Sequence, residues 1–237
     1  MIESIIYFNF IVFVAAFAFA LWKNCNATTL QVGAIYLAPL IPVGLDDAVA
    51  ERFLIVSLLN FIFGIIELVL FVKTVRPGDA SLSKDYFRQL FGHTLPIAAA
   101  LVGASFIARA SEAPVGFYEG MALALIFIAG AVLRVVAVWQ IGALGFKFDI
   151  VFREEQTLKN DQLYALMRHP SYTGMMLVIL AYAINTHSWI AGTVTLLVAW
   201  FGFQFRIHYE EKALEAQFGE PYREYRERTS MWIPFVK

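Results

Sequence analysis

Arg168-His169-Pro170-Ser171-Tyr172-Thr173-Gly174 separates a polar segment, residues 152–167, from a long apolar run that begins near Met175. A residue before proline is pushed out of the α region, which puts His169 in extended chain. Ser171 is then placed to cap the helix that follows, with free backbone N–H groups and the positive end of the dipole beside His169. A helix start of this kind suits an anionic group. Pro-Ser before a helix is also ordinary capping chemistry, so a second block has to sharpen the reading. That block is Arg206-Ile207-His208-Tyr209-Glu210-Glu211, followed by Phe218-Gly219, Tyr222, Tyr225 and Ile233-Pro234.

Around these blocks the chain is strongly apolar. Of 237 residues 59% are hydrophobic and 16% charged, and the mean hydropathy is +0.65. A soluble domain of this size could not cover so much apolar surface, so the composition predicts a multi-pass membrane protein. A net charge of −1 offers no basic surface for nucleic acid. One cysteine, Cys25, excludes an intrachain disulfide and a multi-cysteine metal site. The apolar stretch 5–22 follows Glu3 with no Lys or Arg before it, which reads as a retained membrane helix and not a cleaved signal.

Seven apolar runs approach the length needed to cross a bilayer: 5–22, 29–45, 53–73, 91–109, 116–142, 171–186 and 188–206. The expected fold is therefore an all-α transmembrane bundle of about seven spans. Pro39 and Pro42 predict a kinked or incomplete second span, and Asn185-Thr186-His187-Ser188 predicts the turn between the last two. If the N-terminus is outside and the spans alternate, fifteen Lys and Arg fall inside against Arg52 and Arg109 outside. Both blocks and the C-terminus then face the cytoplasm. The segment 74–90 holds Pro77-Gly78-Asp79, read as a turn before a short surface helix, and divides N-terminal accessory helices (1–90) from a core (91–237). Residues 147–167 are too polar to span and form a cytoplasmic connector. Tyr209 to Phe218 reads as a helix closed by Gly219, and Pro221 opens another. Tyr222, Tyr225 and Trp232 suit the membrane interface.

Arg206 and Glu210 stand four apart and share one helix face. A salt bridge at the membrane edge is the plain explanation, with the arginine snorkelling. Tyr164 and Tyr172 could likewise be interfacial anchors. Glu67 and Arg134 are charges inside predicted spans, and an interhelical pair between them satisfies both. His93, His187 and His208 show no metal-ligand spacing. No Gly-rich dinucleotide fingerprint follows a strand pattern, so a soluble Rossmann-type site is absent.

Taken together, the two blocks resemble the isoprenylcysteine carboxyl methyltransferase family of integral-membrane enzymes, related to the phospholipid methyltransferases, over roughly Arg134 to Pro234. The resemblance implies S-adenosylmethionine as cofactor and a lipophilic methyl acceptor reached from the bilayer, with membrane lipids around it and no nucleic acid or metal. It implies that Gln156, Thr157, Leu158, Lys159, Tyr164, His169, Pro170, Ser171, Tyr172 and Glu210 bind the cofactor. Arg206 then holds the substrate, and Arg206 and Glu210 are the catalytic pair. The chain departs from the family pattern in having Gln156 where His is usual, and Gln162-Leu163 where Gly-Pro or Gly-Val is common. A carboxylate of an isoprenylcysteine-like molecule is the implied acceptor, with phospholipid amines and small thiols as alternatives. NADPH-dependent membrane sterol-type reductases carry a related Arg-His-Pro run, but commonly have Glu where Met175 stands.

Overall fold

The computed structural model describes residues 1–74, 83–145 and 157–236, and among these the regular structure is entirely helical. The helices are α1 (Ile2–Lys23), α2 (Ala27–Leu37), α3 (Ala50–Thr74), α4 (Lys84–Gln89), α5 (Leu95–Arg109), α6 (Phe117–Gly145), α7 (Pro170–Asn185), α8 (Trp189–Phe218) and α9 (Glu220–Arg228). Helices are what a chain this apolar must form in lipid, because only they satisfy every backbone group within one segment. Their ends follow local chemistry. Asn26 accepts from the Thr29 amide at 2.8 Å to start α2, and Ser188 accepts from the Ala191 amide at 3.3 Å to start α8. Gly219 ends α8 with φ of 59°, in the left-handed region that favours glycine.

Among the described residues, five helical stretches are long and apolar enough to cross a membrane: 2–23, 50–73, 84–109, 117–142 and 189–218. The expected second and sixth crossings differ in kind. All seven predicted runs are helical, but the second is only α2 plus a tight 3₁₀ turn at Ala38–Leu40, and α7 has 16 residues. Pro39 accounts for the first shortening. Each of the two short segments is held at both of its ends. Gln31 near the start of α2 donates to the Tyr86 hydroxyl at 2.7 Å, whereas Pro39 and Ile41 just beyond its end accept from Arg109, the last residue of α5. Helix α7 likewise begins at His169, beside the C-terminal segment, and ends at Asn185, beside Arg52.

Two further expectations change. The helix placed at Tyr209–Phe218 is continuous with the last apolar run, forming one 30-residue α8. The short helix predicted before the fourth run is α4, and it passes through a π turn at Leu90–Thr94 directly into α5. The turn at Pro77-Gly78-Asp79 lies outside the described residues, as does the first part of the connector, 147–156.

One buried apolar cluster runs through the bundle, with Phe13 of α1, Tyr36 of α2, Phe63 of α3, Leu101 of α5, Phe127 of α6, Val178 of α7 and Phe203 of α8. The closest helix contact is between α6 and α7. A Cβ on Gly130 would stand 2.7 Å from the Gly174 carbonyl oxygen, and one on Gly174 would stand 2.6 Å from the Arg134 nitrogen. Small residues let two membrane helices approach backbone to backbone. The final glycine of the Arg168–Gly174 stretch is thus a packing requirement.

At the end away from that stretch, Arg52 is fully buried. Its guanidinium reaches Glu119 at 2.7 and 3.2 Å, the carbonyls of Ala113 and Pro114, and Asn185. Arg52 therefore fastens α3, the α5–α6 connection and the end of α7 together.

Candidate active site

Helix α7 starts two residues earlier than a cap at Ser171 would place it. Pro170 is its first residue and His169 its N-cap, with φ −124° and ψ 54°, outside the α region as the following proline demands. The His169 carbonyl accepts from the amides of Tyr172 and Thr173, both at 3.1 Å. Ser171 consequently does not cap the helix; its hydroxyl meets the Arg134 guanidinium on α6.

The last residues of the chain lie along this helix start. Arg168 N–H donates to Ser230 O at 2.8 Å, His169 N–H donates to Met231 O at 3.1 Å, and the Thr173 hydroxyl donates to Trp232 O at 2.8 Å. Glu211 on α8 braces the same place, taking Arg168 Nε at 2.7 Å and lying 3.0 Å from His169 Nε2. Arg168 also donates to the carbonyls of Arg226 and Thr229 at the end of α9. Nothing local in the sequence marks this strap at 230–232, because pairing between distant backbone segments leaves no local pattern.

Of the aromatic residues assigned to the membrane interface, two lie inside the protein and Trp232 is half-buried. Tyr222 and Tyr225 are buried, and Trp232 stacks on Trp200 with ring centroids 5.1 Å apart. The Tyr225 hydroxyl donates to Tyr164 O at 2.6 Å, and the Tyr164 hydroxyl donates to Ala137 O of α6 at 3.1 Å. Burial pushes both phenols well above the ordinary tyrosine range, which keeps them protonated as donors. The Glu210 carboxylate pushes Tyr164 further the same way.

Tyr172 is the centre of the arrangement. Its ring stacks on His169 at 5.5 Å with the planes 17° apart. Its hydroxyl donates to Glu210 Oε2 at 2.6 Å and accepts from Arg206 Nε at 3.3 Å. Arg206 and Glu210 themselves are 4.0 Å apart, the outer limit of an ion pair, so Tyr172 bridges them. Arg206 is buried, while the Glu210 side chain keeps a quarter of its surface exposed. Arg206 and Tyr172 also line a cavity of about 100 Å³, together with Glu67, Arg134, His93 and the apolar Ile97, Leu101 and Met175. His93 was not singled out by sequence reasoning. Its Nδ1 lies 3.1 Å from Gly202 O, and the glycines at 92 and 202 are the only local hint that α5 and α8 come so close.

The structure brings His169, Pro170, Ser171, Tyr172, Arg206 and Glu210 to one end of α7 and α8, with Tyr164 behind them. The upstream residues are less closely joined. Gln156 lies outside the described residues. Thr157 is exposed, Leu158 and Lys159 are half-buried in irregular chain, and Lys159 pairs with Asp161 at 2.7 Å. Among the described residues, no hydrogen bond or ion pair joins these three to Tyr172, Arg206 or Glu210.

Fold and site together define a multi-pass helical membrane protein with a half-buried polar centre where two of its helices meet. Residues 122–216 match the sequence model of the isoprenylcysteine carboxyl methyltransferase (ICMT) family. Protein-S-isoprenylcysteine O-methyltransferase B of Arabidopsis thaliana is 34% identical over 110 residues, 46% of this chain and 56% of that one. Protein-S-isoprenylcysteine O-methyltransferase of Rattus norvegicus is 34% identical over 117 residues, 48% of this chain and 40% of that one. The match thus spans about half the length of these relatives. A solved structure described as the eukaryotic intramembrane Ras methyltransferase ICMT has the same fold, with a TM-score of 0.58 and 19% identity over 99% of this chain and 85% of that one.

Proposed function

We propose that this chain transfers a methyl group from S-adenosylmethionine to the carboxylate of a lipophilic, isoprenylcysteine-like acceptor. The observation that carries this reading is the Tyr172 hydroxyl held between Arg206 and Glu210 at the edge of a buried cavity. The residues suit the cofactor. A partly exposed carboxylate, Glu210, beside the stacked rings of His169 and Tyr172 offers a place for positive charge, by ion pairing and by cation–π attraction of about 0.5–2 kcal/mol. The start of α7 offers the complementary place for an anionic group. His169, Pro170, Ser171, Tyr172 and Glu210 would hold it, with Tyr164 supporting them and Gln156, Thr157, Leu158 and Lys159 as further cofactor contacts. The bound cofactor supplies an electrophilic methyl group on a sulfonium.

The chain's own part is to bind, orient and exclude water. Arg206 presents a planar guanidinium that can clamp a carboxylate at two points. Its Nε contact with Tyr172 fixes the direction of that clamp, so orientation is supplied before the acceptor arrives. A carboxylate acceptor needs no general base. An amine or a thiol would need one, and both nearby carboxylates are already engaged: Glu211 by Arg168 and His169, Glu210 by Tyr172. That engagement favours the carboxylate acceptor. The basic residues of the described chain support a cytoplasmic site, since Arg52 and Arg109 belong to the opposite end.

A labelled-methyl transfer assay with purified protein tests this against an isoprenylated cysteine carboxylate, a phospholipid amine and a small thiol. The expected product is a base-labile methyl ester on the first. Transfer to the amine or thiol alone overturns the acceptor, and no transfer to any of them by folded protein overturns the methyltransferase reading.

A further inference from the structure

Glu67 lies on α3, outside the segment 122–216 that carries the family match. Its carboxylate takes Arg134 Nε at 2.9 Å and Nη2 at 3.0 Å, a two-point contact between side chains that are each 4% exposed. Arg134 stands one turn along α6 from Gly130, where the backbone of α7 presses directly against it at Gly174. Guanidinium geometry then matters. With the Nε/Nη2 edge taken by Glu67, Nη1 is directed at the Ser171 hydroxyl in the first turn of α7. The neighbouring residue on that turn is Tyr172.

Holding α3 to α6 does not require charges. Phe63 and Phe127 already join these helices edge to face, with centroids 6.1 Å apart, and a buried ion pair is often no better for stability than apolar packing. What apolar packing cannot do is grip a hydroxyl. Glu67 and Arg134 also line the cavity shared with Tyr172 and Arg206.

We infer that Glu67 is a positioning residue for the methyl-transfer site. By orienting Arg134 it fixes Ser171, and through Ser171 it sets the angle at which Tyr172 meets Arg206 and Glu210. The N-terminal helices therefore contribute to the site and not only to the membrane anchor. This inference rests on the methyltransferase reading above.

The test compares Glu67→Gln, Ser171→Ala and the double variant in the full chain. Four quantities are measured: kcat and acceptor KM for methyl transfer, affinity for S-adenosylhomocysteine, and amide hydrogen exchange along residues 171–175. Each single variant should lower kcat about tenfold, the worth of one charge-assisted hydrogen bond, with acceptor KM within about twofold. The double variant should be no worse than the worse single, because both cut one link. Exchange should quicken at 171–175 and stay unchanged beside Arg52. Multiplying losses, or normal kcat in folded Glu67→Gln, overturns the inference. If Glu67→Gln does not fold, Ser171→Ala decides, since it leaves the buried pair intact, and normal kcat with normal exchange there overturns the inference. A wild-type chain that transfers no methyl group defeats the functional reading separately, and exchange in Ser171→Ala then judges the link alone: quickened exchange at 171–175 upholds it and unchanged exchange overturns it.

Discussion

The Tyr172 hydroxyl reaches Glu210 Oε2 at 2.6 Å and thereby joins the first turn of α7 to the long helix α8. Arg206, one turn back on α8, donates to the same oxygen, so hydrogen bonds run in one direction from Arg206 through Tyr172 to Glu210. Tyr172→Phe keeps the ring on His169 and removes only the bridge. Methyl transfer should fall roughly 10- to 100-fold, the equivalent of about 1.5–3 kcal/mol for a hydrogen bond to a charged group. The melting temperature should change little. Steady-state kinetics beside a thermal scan separates the two.

Gly174 predicts a stability effect with a built-in control. An alanine there would place Cβ 2.6 Å from the Arg134 nitrogen, against backbone that cannot step aside. Gly174→Ala should destabilise the protein by about 1–3 kcal/mol, as overpacking does. In α5, Gly103 has nothing within 4 Å of a built Cβ, and Gly103→Ala should be neutral or stabilising by about 0.5–1 kcal/mol. Detergent unfolding of both variants should give opposite signs.

Arg52 carries no chemistry in this account. Removing it strands the Glu119 carboxylate and frees the carbonyls of Ala113 and Pro114. Arg52→Ala should cost about 3–5 kcal/mol, the range for breaking a buried pair. Calorimetry on the protein that stays folded should show unaltered S-adenosylhomocysteine affinity, because the site lies at the other end of the bundle.

How much of this was legible in the sequence depended on whether the signal was local. Apolar runs gave α1 to α3 and α5 to α8, Asn185–Ser188 gave the hairpin between α7 and α8, and Gly219 gave the end of α8. Glu67 and Arg134 found each other as the two charges inside predicted spans. The short α2 and α7 were harder, because a run of suitable residues does not say how far it stays helical. Ser171 misled for a related reason: a serine after proline offers a cap, and nothing nearby reveals that an arginine on another helix claims its hydroxyl. Tyr222 and Tyr225 fit an interface or an interior equally well until the fold shows them buried. His93 needed the crossing of α5 over α8, which no spacing along the chain encodes.

Alkaline pH should expose the buried phenols. Burial raises Tyr164, Tyr222 and Tyr225 in the folded protein, so the folded state favours their neutral form. Their contribution is complete below the ordinary tyrosine pKa of about 10 and is lost as pH rises through the higher folded value. Tyr225→Phe removes one such contribution. Its melting temperature should therefore fall less steeply than that of wild type between about pH 9 and 11. Parallel curves would mean that Tyr225 does not contribute in this way.

The most direct measurement sets Arg206→Ala against Glu210→Ala, with cofactor affinity and methyl transfer read on the same preparations. Glu210→Ala should weaken S-adenosylhomocysteine binding. Arg206→Ala should leave that binding largely intact while lowering transfer by roughly two orders of magnitude or more, about 3 kcal/mol at the transition state. Arg206→Lys should rescue poorly, because an ammonium cannot reproduce a planar two-point contact. An Arg206→Ala protein of unchanged detergent stability and near-normal methyl transfer would contradict the account, leaving Arg206 and Glu210 as a plain ion pair at the membrane edge.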